Sequence, residues 1–278
     1  MRNGTLFVFL AAILFATGGL FFKECSWSAM ALSSARSIIA GVIILAAMLI
    51  VRHKFRINFS VIAAAISISV TNNLYALANK LTTAGNTVVL QFSMPVFVII
   101  ILVLFYKKKP TVLELVTCFA VFAGIICFFI DSLSAGNMLG NALALISGVS
   151  YACFFIFNSR DDSEPFTAVL LSYALTALIG LPWLINTDIV ATPGKELVFV
   201  LLLGLVQQAA AMICFSVGIK TTPPVAASLI SGIEPILNPV LVALFYGEKL
   251  TWLSLIGAVI VLVSILIYNV LTARKKTI

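Results

Sequence analysis

The sequence predicts an all-α integral membrane protein of ten transmembrane helices, built as two inverted five-helix repeats. Three observations predict it: ten long apolar stretches, a lopsided placement of basic residues between the two sides, and an internal repeat.

Apolar residues make up 62% of the chain and charged residues 10%. Soluble domains run about half apolar and a quarter charged, so this much apolar surface suits lipid better than a soluble core. A helix needs about 20 apolar residues to cross the hydrocarbon. Such stretches fall at roughly 4–22, 28–51, 57–78, 83–106, 111–130, 137–157, 165–186, 197–219, 223–246 and 251–272. Backbone groups in lipid must be satisfied internally, which a continuous apolar run achieves only as a helix. Barrel strands would alternate polar and apolar residues over about 10 positions. Val96–Phe105 and Ile256–Ile267 show no alternation. The connections between stretches leave no room for a soluble domain. The first stretch lacks a small-residue cleavage site and further stretches follow at once, so it reads as a mature helix, not a signal peptide.

The net charge of +7 raises the question of nucleic acid, and the positions of the charges answer it. With the N-terminus inside, the cytoplasmic segments hold Arg2, Arg52, Lys54, Arg56, Lys107, Lys108, Lys109, Arg160, Lys220, Arg274, Lys275 and Lys276. The outer segments hold only Lys23, Lys80, Lys195 and Lys249, and Arg36 falls inside a helix. Twelve against four is the positive-inside asymmetry. It predicts cytoplasmic N- and C-termini and no nucleic-acid partner. The five cysteines lack CxxC spacing, and four sit within apolar runs, so they read as packing residues, not metal ligands or disulfides. No cofactor and no metal site is expected.

The repeat emerges when Pro95 is slid onto Pro235, a shift of 140. Residues 80–128 and 220–268 then align without a gap, matching Lys80/Lys220, Thr82/Thr222, Phe105/Phe245, Tyr106/Tyr246, Lys109/Lys249 and Thr111/Thr251. Nearer the start of each half, Gly4 aligns with Gly140 and Phe15-Ala16 with Tyr151-Ala152, at a shift of 136. The halves are placed at 1–132 and 133–278. Five helices per half is an odd number, so the second half enters the membrane the other way up. Inverted repeats mark secondary transporters, whose half-bundles rock about a central site. Thr111-Val-Leu-Glu114, with Pro110 before it, is a capping box opening the fifth helix. Pro95, Pro235 and Pro239 lie mid-helix and predict bends.

The ninth and tenth stretches carry Ile233-Glu234-Pro235, then Leu244-Phe245-Tyr246-Gly247-Glu248-Lys249-Leu250-Thr251, then Gly257-Ala258. The first half holds a partial copy in Met94-Pro95 and Tyr106-Lys107-Lys108-Lys109. With Arg36 in the second helix, this pattern resembles the EamA family of the drug/metabolite transporter superfamily, across the whole chain. The resemblance implies a central cavity lined by the first, third, fourth, sixth, eighth and ninth helices. It implies a multi-pass protein of the bacterial inner membrane, exporter or facilitator, with amino acids and related metabolites as common cargoes.

Polar residues at mid-membrane are costly and are therefore the candidates for a site. Asn72, Tyr75 and Asn79 share one face of the third helix, and Glu234 and Asn238 follow Ser231 at helical spacing in the ninth. Thr87 and Gln91 lie in the fourth, Tyr151 in the sixth, and Gln207 and Gln208 in the eighth. Adjacent residues on a helix point about 100° apart, so one of the two glutamines is expected to face inward. Asn, Gln and Ser side chains also join helices to one another, at about 0.6 kcal/mol each, which is the structural alternative for every member of the set. Glu234 is the one carboxylate placed at the bilayer centre. It is a candidate proton carrier, with protons as a coupling partner, or else an ion-pair partner for Arg36.

The expected function is secondary transport of small neutral or zwitterionic solutes, amino acids among them. The alternatives are a channel for small polar solutes or an exchanger of phosphorylated metabolites, the latter disfavoured because Arg36 has no basic neighbour. An intramembrane enzyme is not expected: His53 is the only histidine, and neither HExxH nor GxSxG occurs. The other partner is the lipid bilayer, and the expected state is a monomer or weak dimer.

Overall fold

The computed structural model describes residues 3–133, 137–247 and 250–275. Arg2, Glu248, Lys249, Lys276 and Ile278 lie outside these, so the Lys109/Lys249 match and the end of the Gly-Glu-Lys string are not described. Among the described residues, ten helices are long and apolar enough to cross a membrane. They are α1 (Gly4–Phe22), α2 (Ala29–Ile50), α3 (Phe59–Leu81), α4 (Gly85–Tyr106), α5 (Val112–Phe129), α6 (Met138–Asn158), α7 (Pro165–Ile185), α8 (Gly194–Ile219), α9 (Pro224–Tyr246) and α10 (Trp252–Thr272). Each coincides with one predicted stretch, and no boundary moves by more than about three residues, the ordinary uncertainty of helix ends. The fold is all-helical and built to span a membrane.

The helices start where short polar side chains stand in for the missing helical acceptors. Ser28 accepts from Ala31 N, Asn58 from Val61 N and Thr83 from Asn86 N. Thr111 and Glu114 form the expected capping box: Glu114 N donates to Thr111 Oγ1 at 3.2 Å, and Thr111 N donates to Glu114 Oε2 at 2.7 Å. That settles a structural role for Glu114. Glu164 caps α7, whose first residue is Pro165. At the other end, α4 and α9 both stop after a Phe-Tyr pair by turning left-handed, at Lys107 (φ 53°) and Gly247 (φ 70°).

Pro95 and Pro235 do more than bend their helices. Each helix breaks into two segments: Ala84–Gln91 and Met94–Tyr106 in α4, Pro224–Ser231 and Glu234–Tyr246 in α9. A proline has no N–H to give the carbonyl four residues back. The chain therefore turns through Phe92-Ser93 or Gly232-Ile233 and restarts with proline in the first turn, where a missing N–H costs nothing. Pro239 sits inside the second segment of α9. Two further interruptions were not predicted. α1 is broken at Thr17, and α8 changes to a π-helix over Leu203–Ala210.

The packing falls into two four-helix groups. α1 packs on α8 and α9, and α2 on α8. α6 packs on α3 and α4, and α7 on α3. The groups meet through α2 against α7 and α4 against α9, while α5 and α10 pair to one side. Gly124 and Gly257 let that last pair approach closely: a Cβ on Gly257 would sit 2.5 Å from the Gly124 carbonyl oxygen. The α2–α3, α4–α5, α6–α7 and α8–α9 connections lie at one end of the bundle and carry most of the described cations; it is called the basic face below.

Candidate functional site

A cavity of about 460 Å³ lies between the two groups. α3 contributes Asn72, Tyr75 and Asn79, the predicted stripe, with Ile68 and Thr71. α1 brings Phe15, Gly18, Gly19 and Phe22; α4 brings Gln91 and Phe92; α6 brings Tyr151. α8 supplies Gln207, Gln208 and Met212, and α9 supplies Glu234 and Asn238. Arg36 of α2 completes the wall.

Both glutamines of α8 face the cavity, where one was expected. The expectation assumed α-helical rotation, and the π-helical segment Leu203–Ala210 turns less per residue. Gly204 within it lies against Ile39 of α2, so this stretch can follow the neighbouring helix closely. Thr87 and Ser231 do not line the cavity. Both are buried in helix packing, and Thr87 gives its hydroxyl hydrogen to Thr83 O at 2.9 Å.

Arg36 is not paired with Glu234: among the described residues no hydrogen bond or ion pair joins them. Its Nη1 donates instead to Gln207 Oε1 at 3.1 Å, and the guanidinium lies 5.2 Å from the centre of the Phe22 ring. Its Nε is buried without a partner. Asn72 Nδ2 is likewise buried and unpartnered, while Asn79 Nδ2 donates to Tyr75 O at 3.1 Å. A site with unspent donors, one cation and one separate carboxylate is prepared for a polar guest.

The cavity has a floor and an open direction. On the side of the basic face, Tyr151 packs on Phe155 with ring centroids 5.0 Å apart, and Phe154 stacks on Phe215 at 5.2 Å. All three phenylalanines are buried. On the other side the walls continue through Gly19, Phe22, Asn79 and Asn238 toward the opposite face. A Cβ on Gly19 would overlap the Asn238 carboxamide, so this glycine is what admits Asn238 to the wall. The aromatic and glycine residues escaped the sequence reading because apolar residues in apolar helices carry no contrast. The Gly18-Gly19 pair is the one feature of α1 that could have marked it.

Among the described residues, ten helices long and apolar enough to cross a membrane surround a polar cavity, an arrangement that suits a membrane transporter of small solutes. Residues 2–130 and 138–270 each match the EamA-like transporter family, and the chain belongs to it. It is 28% identical over 290 residues to the uncharacterized transporter YwfM of Bacillus subtilis, covering 98% of this chain and 96% of that protein. It is 25% identical over 270 residues to an uncharacterized transporter of Archaeoglobus fulgidus, covering 96% of both. A solved crystal structure shares the fold with a TM-score of 0.83 at 16% identity, covering 96% of this chain and 97% of the other.

Proposed function

We propose that this chain is a secondary transporter that carries zwitterionic solutes of amino-acid type by alternating access between two inverted halves. The observation that carries the reading is that Arg36 and Glu234, of opposite sign, both border one cavity without pairing to each other. A cargo carboxylate takes the free edge of the Arg36 guanidinium, and a cargo ammonium takes Glu234. The amides of Asn72, Gln91, Gln208 and Asn238 serve the remaining polar atoms. The alternation is supported by the reciprocal packing of α1 on α8 and of α6 on α3, which exchange under the repeat. The two separate family matches support the duplication itself. The aromatic floor favours a carrier over a channel, since a channel needs a continuous polar path.

The test is a thermal-shift screen of the purified protein. An amino acid that binds is expected to stabilise the fold by about 2.7 kcal/mol at 100 times its Kd. Its methyl ester and its N-acetyl derivative are expected to give almost none of this. Equal stabilisation by the blocked compounds would remove the two-pole reading.

The basic face is proposed to be cytoplasmic, in a bacterial inner membrane. A reporter fused after the last residue should then be active only in the cytoplasm, and a single cysteine in place of Asp131 should label from outside. A C-terminus found on the outer side would reverse the orientation and with it the direction in which the cavity faces.

A further inference from the structure

Two sets of polar contacts tie the helix ends together, and the repeat relates one set to the other. At the basic face, Arg160 Nη1 donates to Tyr106 Oη at 3.2 Å, and Ser60 Oγ donates to Asp162 Oδ2 at 2.8 Å. At the opposite face, Tyr246 Oη donates to Glu24 Oε1 at 2.5 Å, and Ser26 Oγ donates to Glu196 Oε1 at 3.0 Å. The shift of 140 carries Tyr106 onto Tyr246. The shift of 136 carries Glu24 onto Arg160 and Ser26 onto Asp162, and Ser60 and Glu196 both lie in the first turn of their helices, α3 and α8. The four contacts are thus two pairs of equivalents. The first two lie within the α3, α4, α6, α7 group and the other two within the α1, α2, α8, α9 group. Both members of each pair are made at once. They therefore cannot distinguish one face from the other, and they act as rivets that keep each group rigid.

One further pair behaves differently. Lys220, at the end of α8, reaches across to the other group. Its Nζ donates to the carbonyls of Arg160 at 3.0 Å, Ser163 at 2.8 Å and Asp161 at 3.5 Å. Its equivalent is Lys80, at the end of α3. Under the shift of 136 the matching carbonyls are those of Glu24, Cys25 and Trp27. Lys80 is exposed and makes none of these bonds. The contact exists at the floor side of the cavity and is missing at the side toward which the cavity runs. That difference is what two alternating states require of a gate.

We propose that Lys220 and Lys80 are reciprocal latches between the two rigid groups: Lys220 holds the basic face shut in this state, and Lys80 closes on the Glu24–Trp27 connection in the other. This rests on the alternating-access reading and adds to it which bonds exchange. In the second state the Lys220 ammonium is released to water at the basic face, and the cavity opens there.

The test reads accessibility, not transport. In a background with the five native cysteines replaced by alanine, a single cysteine is placed at Asn79, beside the present opening, or at Ile156, buried at the bottom of the pocket that Tyr106, Arg160 and Asp162 line at the basic face. A hydrophilic maleimide then reports how often each side is open. Lys220→Ala is expected to raise the labelling rate at position 156 by about tenfold, the effect of losing charge-assisted hydrogen bonds in one of two states, and to lower the rate at position 79. Lys80→Ala is expected to shift both rates the opposite way, and Lys220→Arg to restore the parent rates. Lys80 is exposed and has no partner among the described residues, so truncating it breaks no contact there, and its variant carries the test even where Lys220→Ala does not fold. Both lysine variants moving the rates in the same direction, or neither moving them, overturns the latch. No labelling at position 156 in any background overturns alternating access itself.

Discussion

Arg36→Met is expected to weaken binding of a zwitterionic cargo by about a hundredfold or more, measured by calorimetry on purified protein. Truncating one member of a buried charge pair costs about 2–5 kcal/mol, and about 2.7 kcal/mol is a factor of 100. The unliganded protein should lose little stability, because the change leaves no bonded carboxylate behind; Gln207 loses one donor, and Glu234 had none from Arg36. Arg36→Lys keeps the charge but not the planar fork and should fall in between. Alanine at Asn72, Tyr75 or Gln91 should cost about 0.5–1.5 kcal/mol of binding each, the worth of one hydrogen bond. An unchanged Kd in Arg36→Met would end its role as an anchor. A large loss of melting temperature with unchanged binding in the alanine variants would make those residues glue between helices.

The second large effect is expected at Glu234. This residue opens the second segment of α9, borders the cavity, and replaces the Met94 of the first half. Its carboxylate can hold a cargo ammonium or a proton, but not both. Competition of this kind couples transport to protons. In the parent, the apparent Kd should rise as pH falls, because protonation removes the charge that the ammonium needs. In Glu234→Gln the dependence should vanish. A pH gradient should no longer drive net transport in liposomes, while counterflow at saturating substrate continues. If the glutamine variant keeps its pH-driven uptake, the proton is carried elsewhere. Had Glu234 been paired with Arg36, the same change would have left an unpaired buried charge and cost several kcal/mol of stability. The geometry removes that expectation, so the double variant Arg36→Met with Glu234→Gln should show no rescue.

The ten helices were legible because lipid imposes a length and a polarity that a run such as Val96–Phe105 displays without ambiguity. The stripe Asn72, Tyr75, Asn79 was legible for the same reason in reverse, since lipid penalises those side chains. The breaks in α4 and α9 were half legible. Proline names the bond that is lost, but the place where the chain turns depends on residues such as Gly232 that fit between neighbouring helices. A Cβ there would lie 3.0 Å from Val121 of α5. The π-helical segment of α8 was not legible at all. Nothing in Leu-Gly-Leu-Val-Gln-Gln-Ala-Ala favours an i→i+5 ladder, and only its fit against α2 and α1 selects one. Of the two readings offered for Glu234, the one that paired it with Arg36 is not the contact the structure makes. Depth along the helix suggested Glu234, whereas rotation of α8 brings Gln207 into reach.

The two tyrosines that end α4 and α9 bear on how such a chain arises. Tyr106 accepts a hydrogen bond from a cation, and Tyr246 donates one to an anion. A phenol hydroxyl serves either purpose, which neither a carboxylate nor an ammonium can do. If the two halves enter the bilayer in opposite senses, as proposed above, this tolerance is useful. Under the proposed inverted arrangement positive residues gather on one side, and Arg160 and Glu24, its counterpart, differ in sign accordingly. The tyrosine opposite them could stay unchanged in both copies.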